Sequence, residues 1–165
     1  MSPLLDQYVA ASGRLDPVWT IEIQTLPSDV DRLLDAIVAV QPLRYGTYER
    51  NASVSAPGLE TARPPAGSTT ATHVDGFEPG TTETYPVVEL KVSIERDLAV
   101  LEAVMDGLIG AHHYEEPVIF VREDWVSRAA YNPNSENPNR WWNNQQGLPD
   151  RIPDIEQHLN RLMNG

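Results

Sequence analysis

The stretch that decides the fold is VVELKVSIERDLAVLEAVMDGLIGAHHYEEPVIFV, residues 87–121. Residues 87–95 alternate apolar and polar side chains, which predicts a half-buried strand. Its inward-facing residues are Val88, Leu90, Val92 and Ile94. Apolar residues then recur at helical spacing, at Leu98, Leu101, Val104, Met105 and Leu108. Gly110 is predicted to end this helix, and residues 117–121 form a short apolar strand. The stretch is therefore a strand–helix–strand unit.

A second unit of the same kind lies upstream. VWTIEIQTL, residues 18–26, alternates so that Trp19, Ile21 and Ile23 share one face. Ser28 is predicted to cap a helix over 29–40, and Pro42 ends that helix. The apolar stripe of the helix comprises Val30, Leu33, Leu34, Ile37 and Val38. Residues 43–56 contain Gly, Thr, Tyr and Ser, which favours a strand over a helix.

The order strand–helix–strand–strand–helix–strand predicts an α+β fold. Two right-handed crossovers make it a ferredoxin-like βαββαβ sandwich, a four-stranded antiparallel sheet with helices on one face. We assign residues 1–126 to this domain, with its core over 17–122. Residues 2–12 are predicted to form a short helix. The Pro-, Gly- and Thr-rich residues 57–86 are interpreted as a binding loop, an interface arm or a hairpin excursion.

Residues 127–165 differ in composition from the predicted domain. Their first part is rich in Asn and Pro and contains Trp141 and Trp142, while 153–164 has the apolar spacing of a helix. Tryptophans bury a large area when they dock, so we expect this arm and helix to pack on the same domain or on a neighbouring subunit. The alternative is a stacking platform for a sugar or heterocycle, with Asn143 and Asn144 as donors.

Composition narrows the classes of function. The chain has 165 residues, a net charge of -12 and no cysteine. An acidic surface repels phosphate backbones, so we expect no nucleic-acid partner. The lack of cysteine excludes thiolate catalysis, disulfides and cysteine-bound zinc. We expect no membrane partner and a cytoplasmic location, because no apolar run is long enough to span a bilayer and the first residues do not resemble an export signal.

Two motifs, in the correct order, resemble those of YqfO-like domains and the related CutA proteins. The first matches the YqfO signature His-Pro-Tyr-Glu-Glu-Pro at His112, Tyr114, Glu115, Glu116 and Pro117, with His113 in place of the proline. The second matches Gly-x-Tyr-x-x-Cys and a following Pro-Gly turn and Arg-Pro, at Gly46, Tyr48, Pro57, Gly58, Arg63 and Pro64. Asn51 stands where the family has cysteine, so any thiol-based role is lost.

The resemblance covers roughly residues 17–122 and implies the ferredoxin-like fold of CutA and PII-type proteins. Such domains commonly assemble as trimers whose edge strands pair between subunits. In larger relatives the module is inserted into a protein of the two-metal hydrolase type. The metal ligands there belong to the surrounding domain, so the two-metal chemistry is not carried over to this chain.

The 112–117 segment admits three interpretations. It is structural if the histidines follow a helix end and the glutamates pair with arginines. It is a metal site if His112, His113 or Glu115 binds a divalent ion together with His73 or a residue of another subunit. It is catalytic if Glu116 and His112 act as an acid/base pair on a small polar substrate, although no motif places a nucleophile.

The predicted ligand site joins both motifs at a subunit boundary. We expect Tyr48, Arg50, Arg63, Tyr114 and Glu116 to line it. The sequence thus predicts a stand-alone, oligomeric module, most simply a trimer, that binds a small molecule or a metal ion and has a regulatory role. An enzyme that uses Glu116 and His112, and a purely structural or protein-interaction module, remain the alternatives.

Overall fold

Two long antiparallel strands form the centre of the sheet: β2 (Gly13–Thr25) and β5 (Glu83–Glu95). The computed structural model describes residues 4–144 and 154–164. The other strands are β1 (Val9–Ala10), β3 (Ser53–Val54), β4 (Gly58–Ala62) and β6 (Ile119–Ala129). A 3-10 turn (Pro27–Asp29) precedes α1 (Val30–Val38), and the remaining helices are α2 (Thr69–His73), α3 (Leu98–Ala111) and α4 (Ile155–Asn164).

The strand order confirms the predicted ferredoxin-like fold. Among the described residues, β6 pairs with β2, β2 with β5, and β5 with β3, all antiparallel. Two short strands extend this four-stranded core to six: β1 pairs with the start of β2, and β4 with the start of β5. The β2–β6 pairing runs from Gly13↔Ala129 to Ile23↔Ile119, so these strands continue as a two-stranded ribbon beyond the point where β5 ends.

The core lies between one face of the sheet and helices α1 and α3. The alternation in β2 and β5 places Ile21, Ile23, Val88, Leu90, Val92 and Ile94 in this layer, as predicted. From the helices come Val30, Leu33, Leu34, Ile37, Val104 and Leu108. Leu98 was predicted to join them but is 67% exposed, because it begins α3 beyond the sheet. Glu89, Lys91 and Glu95 alternate with the buried residues of β5 and are exposed on the opposite face.

Helix boundaries differ from the predicted ones for local reasons. Ser28 does not cap α1, because the 3-10 turn begins one residue earlier at Pro27. Gly110 lies inside α3, which continues to Ala111, and His112 is the C-cap in an extended conformation. At the N-terminus of α3, the Asp97 carboxylate accepts hydrogen bonds from the backbone N–H groups of Ala99 and Val100, at 2.7 and 3.2 Å.

Several predicted segments have a different structure. The helix predicted over 2–12 is wrong in its described part, because residues 9–10 form β1 and pair with β2 through a tight turn. Of the strand predicted over 43–56, only Ser53–Val54 pairs with the sheet, because the preceding loop closes on itself through Arg50 N–H to Pro42 O at 2.8 Å. Residues 57–86 are a hairpin excursion, one of the three forms expected, in which β4 pairs with β5.

The arm and terminal helix contact this same chain. β6 continues past residue 126 to Ala129, so the strand crosses the boundary that we assigned between domain and arm. The terminal helix α4 packs near the 3-10 turn, and its Leu159 is buried in the core. The N-terminal end of the predicted helix, including Pro153, lies outside the described residues. None of the described helices is long and apolar enough to cross a membrane.

Candidate functional site

A groove of about 620 Å³ separates the β4–β5 hairpin from the segment that follows α3. One wall comes from β4, α2 and Tyr85 of β5, and the other from residues 113–118. The groove exists because α3 ends at His112 and the chain then runs extended before β6 begins, while the hairpin excursion rises beside it. Its described lining is Leu26, Glu60, Thr61, Ala62, Pro64, Thr69, Thr70, His73, Val74, Tyr85, His113, Tyr114, Glu115, Glu116 and Val118.

Two hydrogen bonds connect the walls of the groove. The Tyr114 hydroxyl donates to the Glu60 carboxylate, and Thr69 Oγ1 donates to Glu115 Oε1 at 2.8 Å. Burial, followed by the bond to Glu60, raises the pKa of Tyr114 well above its ordinary value of 10. The phenol therefore stays protonated near neutral pH and acts as a donor. The groove has a fixed width where these two pairs cross it.

His112 holds the corner below the groove. Its Nδ1 accepts a hydrogen bond from the backbone N–H of Tyr114 at 3.0 Å, so Nε2 carries the proton and donates to Gln24 O, also at 3.0 Å. Burial lowers the pKa of His112, which favours this neutral tautomer. Both nitrogens are occupied, so this ring supports the structural interpretation of the segment, and neither atom is free for a metal ion or a proton transfer.

His73 presents the opposite arrangement at the far wall. Its Nδ1 lies 3.0 Å from Thr69 O and 2.9 Å from Thr72 Oγ1, and its Nε2 makes no hydrogen bond with the described residues. Ser68 starts the short helix α2 that carries this ring, because its Oγ accepts a hydrogen bond from Ala71 N at 3.2 Å.

The free polar atoms of the groove include several carboxylate oxygens. Glu60 and Glu115 each keep one oxygen without an intramolecular hydrogen bond, and Glu116 makes no hydrogen bond or ion pair with the described residues. No arginine or lysine is among the described residues that line the groove. The apolar part of the lining includes Leu26, Val74 and Val118. The groove is therefore suited to a ligand that has an apolar body and donates hydrogen bonds or carries positive charge.

Two of the predicted metal ligands already have hydrogen-bond partners. His112 uses both nitrogens, while Glu115 accepts from Thr69 through Oε1 and keeps its second oxygen free. Within residues 4–144 and 154–164, no three His, Asp or Glu side chains come close enough to share an ion. Divalent metals in stable protein sites usually take three or more protein ligands. Within the described chain, the segment 112–115 thus does not assemble three ligands, and the metal interpretation, which also invoked His73 or another subunit, stays a prediction.

The structure separates the two motifs that we expected to meet. Tyr114 and Glu116 line the groove near the end of β2, whereas Tyr48 lies at the other end, where its hydroxyl accepts from Trp141 Nε1 at 3.1 Å. Arg50 pairs with Asp31 and Asp35 of α1. Within one chain these residues do not share a pocket, because the loop between α1 and β3 stays at the end of the sheet where β2 begins; the site at a subunit boundary stays a prediction.

Two other residues of the second motif have backbone partners. Arg63 lies next to the groove, but its Nε donates to Gly80 O at 2.7 Å and closes the hairpin. Asn51, at the position of the family's cysteine, donates to Leu43 O through its backbone N and Nδ2, at 3.1 and 3.2 Å. Both residues thus hold loops in place.

Sequence reasoning missed the residues of the hairpin wall. Glu60, Thr69 and Tyr85 fall in the stretch 57–86, in which the sequence predicts no individual strand or helix. Ser68, followed by five residues that form a helix, was a capping signal that could have placed α2. Nothing in the local sequence places Glu60 beside Tyr114, because that contact depends on the register of β4 against β5.

No family model and no curated protein matches the chain. Among solved structures, a Bacillus cereus protein related to NIF3 aligns with a TM-score of 0.52 and 17% identity, over 73% of this chain and 29% of that chain. The divalent ion tolerance protein CutA1 of Ehrlichia chaffeensis has a TM-score of 0.46 and 8% identity, over 82% and 96%. The PII-like protein CPII of Thiomonas intermedia aligns with a TM-score of 0.43 and 10% identity, over 71% of this chain and 99% of that chain.

The alignment with the Bacillus cereus protein agrees with the resemblance found in the motifs. The strand order of this chain is that of the ferredoxin-like fold. It spans less than a third of the length of the Bacillus cereus protein. At these identities the comparisons establish the fold alone.

Proposed function

We propose that the protein is a small-ligand-binding module and that its ligand is a small organic cation held in the groove between the hairpin and the 113–118 segment. The observation that carries this proposal is the composition of the groove. Its described titratable residues, tyrosines apart, are Glu60, His73, His113, Glu115 and Glu116, with no cationic side chain that stays charged at neutral pH. Ammonium groups are donors only, and so they match the free carboxylate oxygens.

A ligand that bridges the two walls would regulate the position of the hairpin. A ligand that contacts Glu116 on one wall and Glu60 on the other adds a third connection to the Tyr114–Glu60 and Thr69–Glu115 pairs. Such a ligand binds better when the hairpin is docked than when it is displaced. Binding therefore shifts the hairpin toward the docked position, which is how a small ligand changes a surface that other molecules contact.

The test compares two four-carbon probes whose ends carry opposite charge. We expect putrescine to perturb the amide NMR signals of residues 60–62 and 113–118, and succinate to leave them unchanged. Glu116→Gln is expected to weaken putrescine binding by about fivefold, which corresponds to about 1 kcal/mol. Glu89→Gln, an exposed glutamate on the sheet face away from the helices, is the matched control. Equal binding of both probes, or binding unaffected by Glu116→Gln, contradicts the proposal.

The alternatives have less support. The acid/base pair of Glu116 and His112 loses its second member, because both His112 nitrogens are hydrogen-bonded. A zinc titration followed by native mass spectrometry tests the metal alternative. A stoichiometric ion retained by the wild type and lost in His73→Ala or His113→Ala would favour metal binding over an organic cation.

We also propose that the protein forms a homo-oligomer, most simply a trimer. In the described chain, the outer edge of β6 is unpaired, and Phe120 is exposed on the sheet face opposite the helices. Unpaired edges and uncovered apolar side chains favour strand pairing with another copy. Light scattering after size exclusion measures the mass directly, and Phe120→Lys is expected to reduce it to that of a monomer.

A further inference from the structure

A second cavity, of about 490 Å³, lies at the other end of β2. The loop between α1 and β3 forms one side of it, and the segment that follows β6 forms the other. Its described lining is Gly46, Thr47, Tyr48, Ala129, Ala130, Tyr131, Asn132, Ser135, Asn139, Arg140, Trp141 and Trp142. None of these residues takes part in the groove, so the two sites are separate.

Aromatic rings form the walls of this cavity. Trp141 and Trp142 meet edge to face, with ring centroids 5.9 Å apart, and Tyr131 meets Trp142 in the same way at 6.3 Å. Trp141 is 49% exposed and Tyr131 is 58% exposed. The hydrogen bond from Trp141 Nε1 to the Tyr48 hydroxyl connects the two sides. Large apolar rings thus remain accessible in a concave site whose position is fixed.

The hydrogen-bonding groups in the cavity are mainly donors. The Arg140 guanidinium and the Asn139 amide make no hydrogen bond or ion pair with the described residues. Trp142 Nε1 is buried without an acceptor. The described lining contains no carboxylate, although the chain has 24 acidic residues and only 12 lysines and arginines.

The Asn-rich segment before the tryptophans is held in place by its own hydrogen bonds. Asn143 was expected to donate to a ligand, but its Nδ2 donates to Ser135 O and Asn137 O at 2.7 and 2.8 Å. Asn143 therefore shapes the loop and leaves recognition to its neighbours. Asn139 and Arg140 are presented from the turn that these bonds close.

We propose that this cavity binds a saccharide that carries a carboxylate. The described rings meet at steep angles of 85° and 76°, so no parallel pair is available to sandwich a flat heterocycle. A single exposed ring face suits the C–H face of a pyranose. The guanidinium of Arg140 pairs with a carboxylate through two parallel hydrogen bonds, and the Asn139 amide supplies a donor to a hydroxyl or ring oxygen. The site is opposite in charge to the groove.

The experiment uses the full chain and three probes: digalacturonic acid, the corresponding neutral galactose disaccharide, and adenosine monophosphate. Binding is measured by calorimetry and by tryptophan fluorescence. We expect the uronate to bind at least about tenfold more tightly than the neutral sugar, a difference of about 1.4 kcal/mol. Arg140→Gln is expected to remove this preference while a weaker affinity for both sugars remains, and Trp141→Ala is expected to abolish binding of both.

Two variants serve as controls. Trp125→Phe removes an indole whose Nε1 donates to Asp6, away from the cavity, and should leave uronate affinity unchanged. Arg122→Gln removes a guanidinium that pairs with Glu22 and should also have no effect. Arg140 is exposed, so its variant is expected to fold normally.

Three results would overturn the proposal. They are the absence of uronate binding to the wild type, tighter binding of adenosine monophosphate than of the uronate, and equal uronate affinity in wild type and Arg140→Gln. A change of oligomeric mass in Trp141→Ala, without saccharide binding in the wild type, would assign the aromatic surface to contact between copies of this chain instead.

Discussion

The hydroxyl of Tyr114 donates a hydrogen bond to the carboxylate of Glu60, 54 positions earlier in the chain. This pair joins the corner after α3 to the hairpin that was inserted between the two halves of the ferredoxin-like fold. In the described structure, the Thr69–Glu115 hydrogen bond is a second side-chain connection between these two regions. The position of the hairpin relative to the sheet therefore depends strongly on Tyr114.

Replacing Tyr114 by Phe tests this dependence. The ring remains and the donor is lost, so we expect the free energy of unfolding to fall by about 1.5–3 kcal/mol, the range for a hydrogen bond to a charged group. Urea unfolding measures the change, and hydrogen exchange should accelerate first in β4. Tyr85→Phe is the control, since no hydrogen bond to its hydroxyl is among the side-chain contacts of the described residues. Equal stability of the two variants would contradict the role of the pair.

Acidification is expected to weaken the corner held by His112. Burial lowers the pKa of His112 in the folded state below its ordinary value of 6.5, so the unfolded state binds the proton more readily. The stability that this residue contributes is complete above pH 6.5 and is lost as the pH falls from there toward the folded-state pKa. Asp29 lies nearby and opposes the shift, while Arg32 and His113 act in the same direction as burial.

The measurement is the free energy of unfolding at about pH 7.5 and about pH 5.5. His112→Gln should be less stable than the wild type at the higher pH, because one of the two hydrogen bonds of the ring is lost. Its free energy of unfolding should, however, decrease less than that of the wild type between the higher and the lower pH. His113→Gln removes the smallest of the contributions that lower the pKa of His112, so it is expected to keep most of the wild-type decrease. If the free energy of unfolding of His112→Gln decreased with pH as much as that of the wild type, another group would be responsible for the pH dependence.

Arg50 allows its backbone and side-chain roles to be separated. Its φ of 56° is in the left-handed region, where a non-glycine residue costs about 1–2 kcal/mol. The ion pairs with Asp31 and Asp35 are partly exposed and contribute at most about 1 kcal/mol. We therefore expect Arg50→Gly to be more stable than Arg50→Ala by about 1 kcal/mol, although both lose the ion pairs.

The same pair of substitutions at Arg44 is the control for Arg50. Arg44 does not have a positive φ, so alanine there should be the more stable replacement. Urea unfolding of the four variants gives the comparison. If Arg50→Gly is as unstable as Arg50→Ala, the ion pairs rather than the backbone determine the stability at this position.

The contribution of the terminal helix is tested at Leu159. This side chain is 4% exposed and belongs to the core, so Leu159→Ala is expected to cost about 2–5 kcal/mol. Leu162, on the same helix, is 55% exposed, and its replacement by Ala should change stability by no more than about 0.5 kcal/mol. A cost below about 1 kcal/mol at Leu159 would mean that α4 contributes little to the core.

The parts of the fold that depend on burial could be predicted from the sequence. The alternation of Ile21 and Ile23, and of Leu90 and Val92, identified the inner face of the sheet, because the period of a strand is fixed by its pleat. The helical stripe of α1 was equally clear. Together with the order of the elements, these patterns were enough for the ferredoxin-like fold.

Features that depend on long-range pairing were not predictable from local patterns. The extension of β6 to Ala129 has polar and charged residues, and it is a strand because β2 provides a partner along its length. Gly110 favoured a helix end, but α3 continues for one more residue because His112 then reaches Gln24. The separation of Tyr48 from Tyr114 follows from the path of the loop after α1, which no periodicity encodes.

β2 gives the molecule two ends that differ in chemistry. Gln24 at one end and Gly13 at the other are roughly 36 Å apart along an extended strand, several times the Debye length at physiological salt. A positively charged ligand at the acidic end and a negatively charged one at the aromatic end would not compete for space and would barely sense each other's charge. The protein could therefore carry both at once, with occupancies that are thermodynamically uncoupled unless β2 itself shifts against β6.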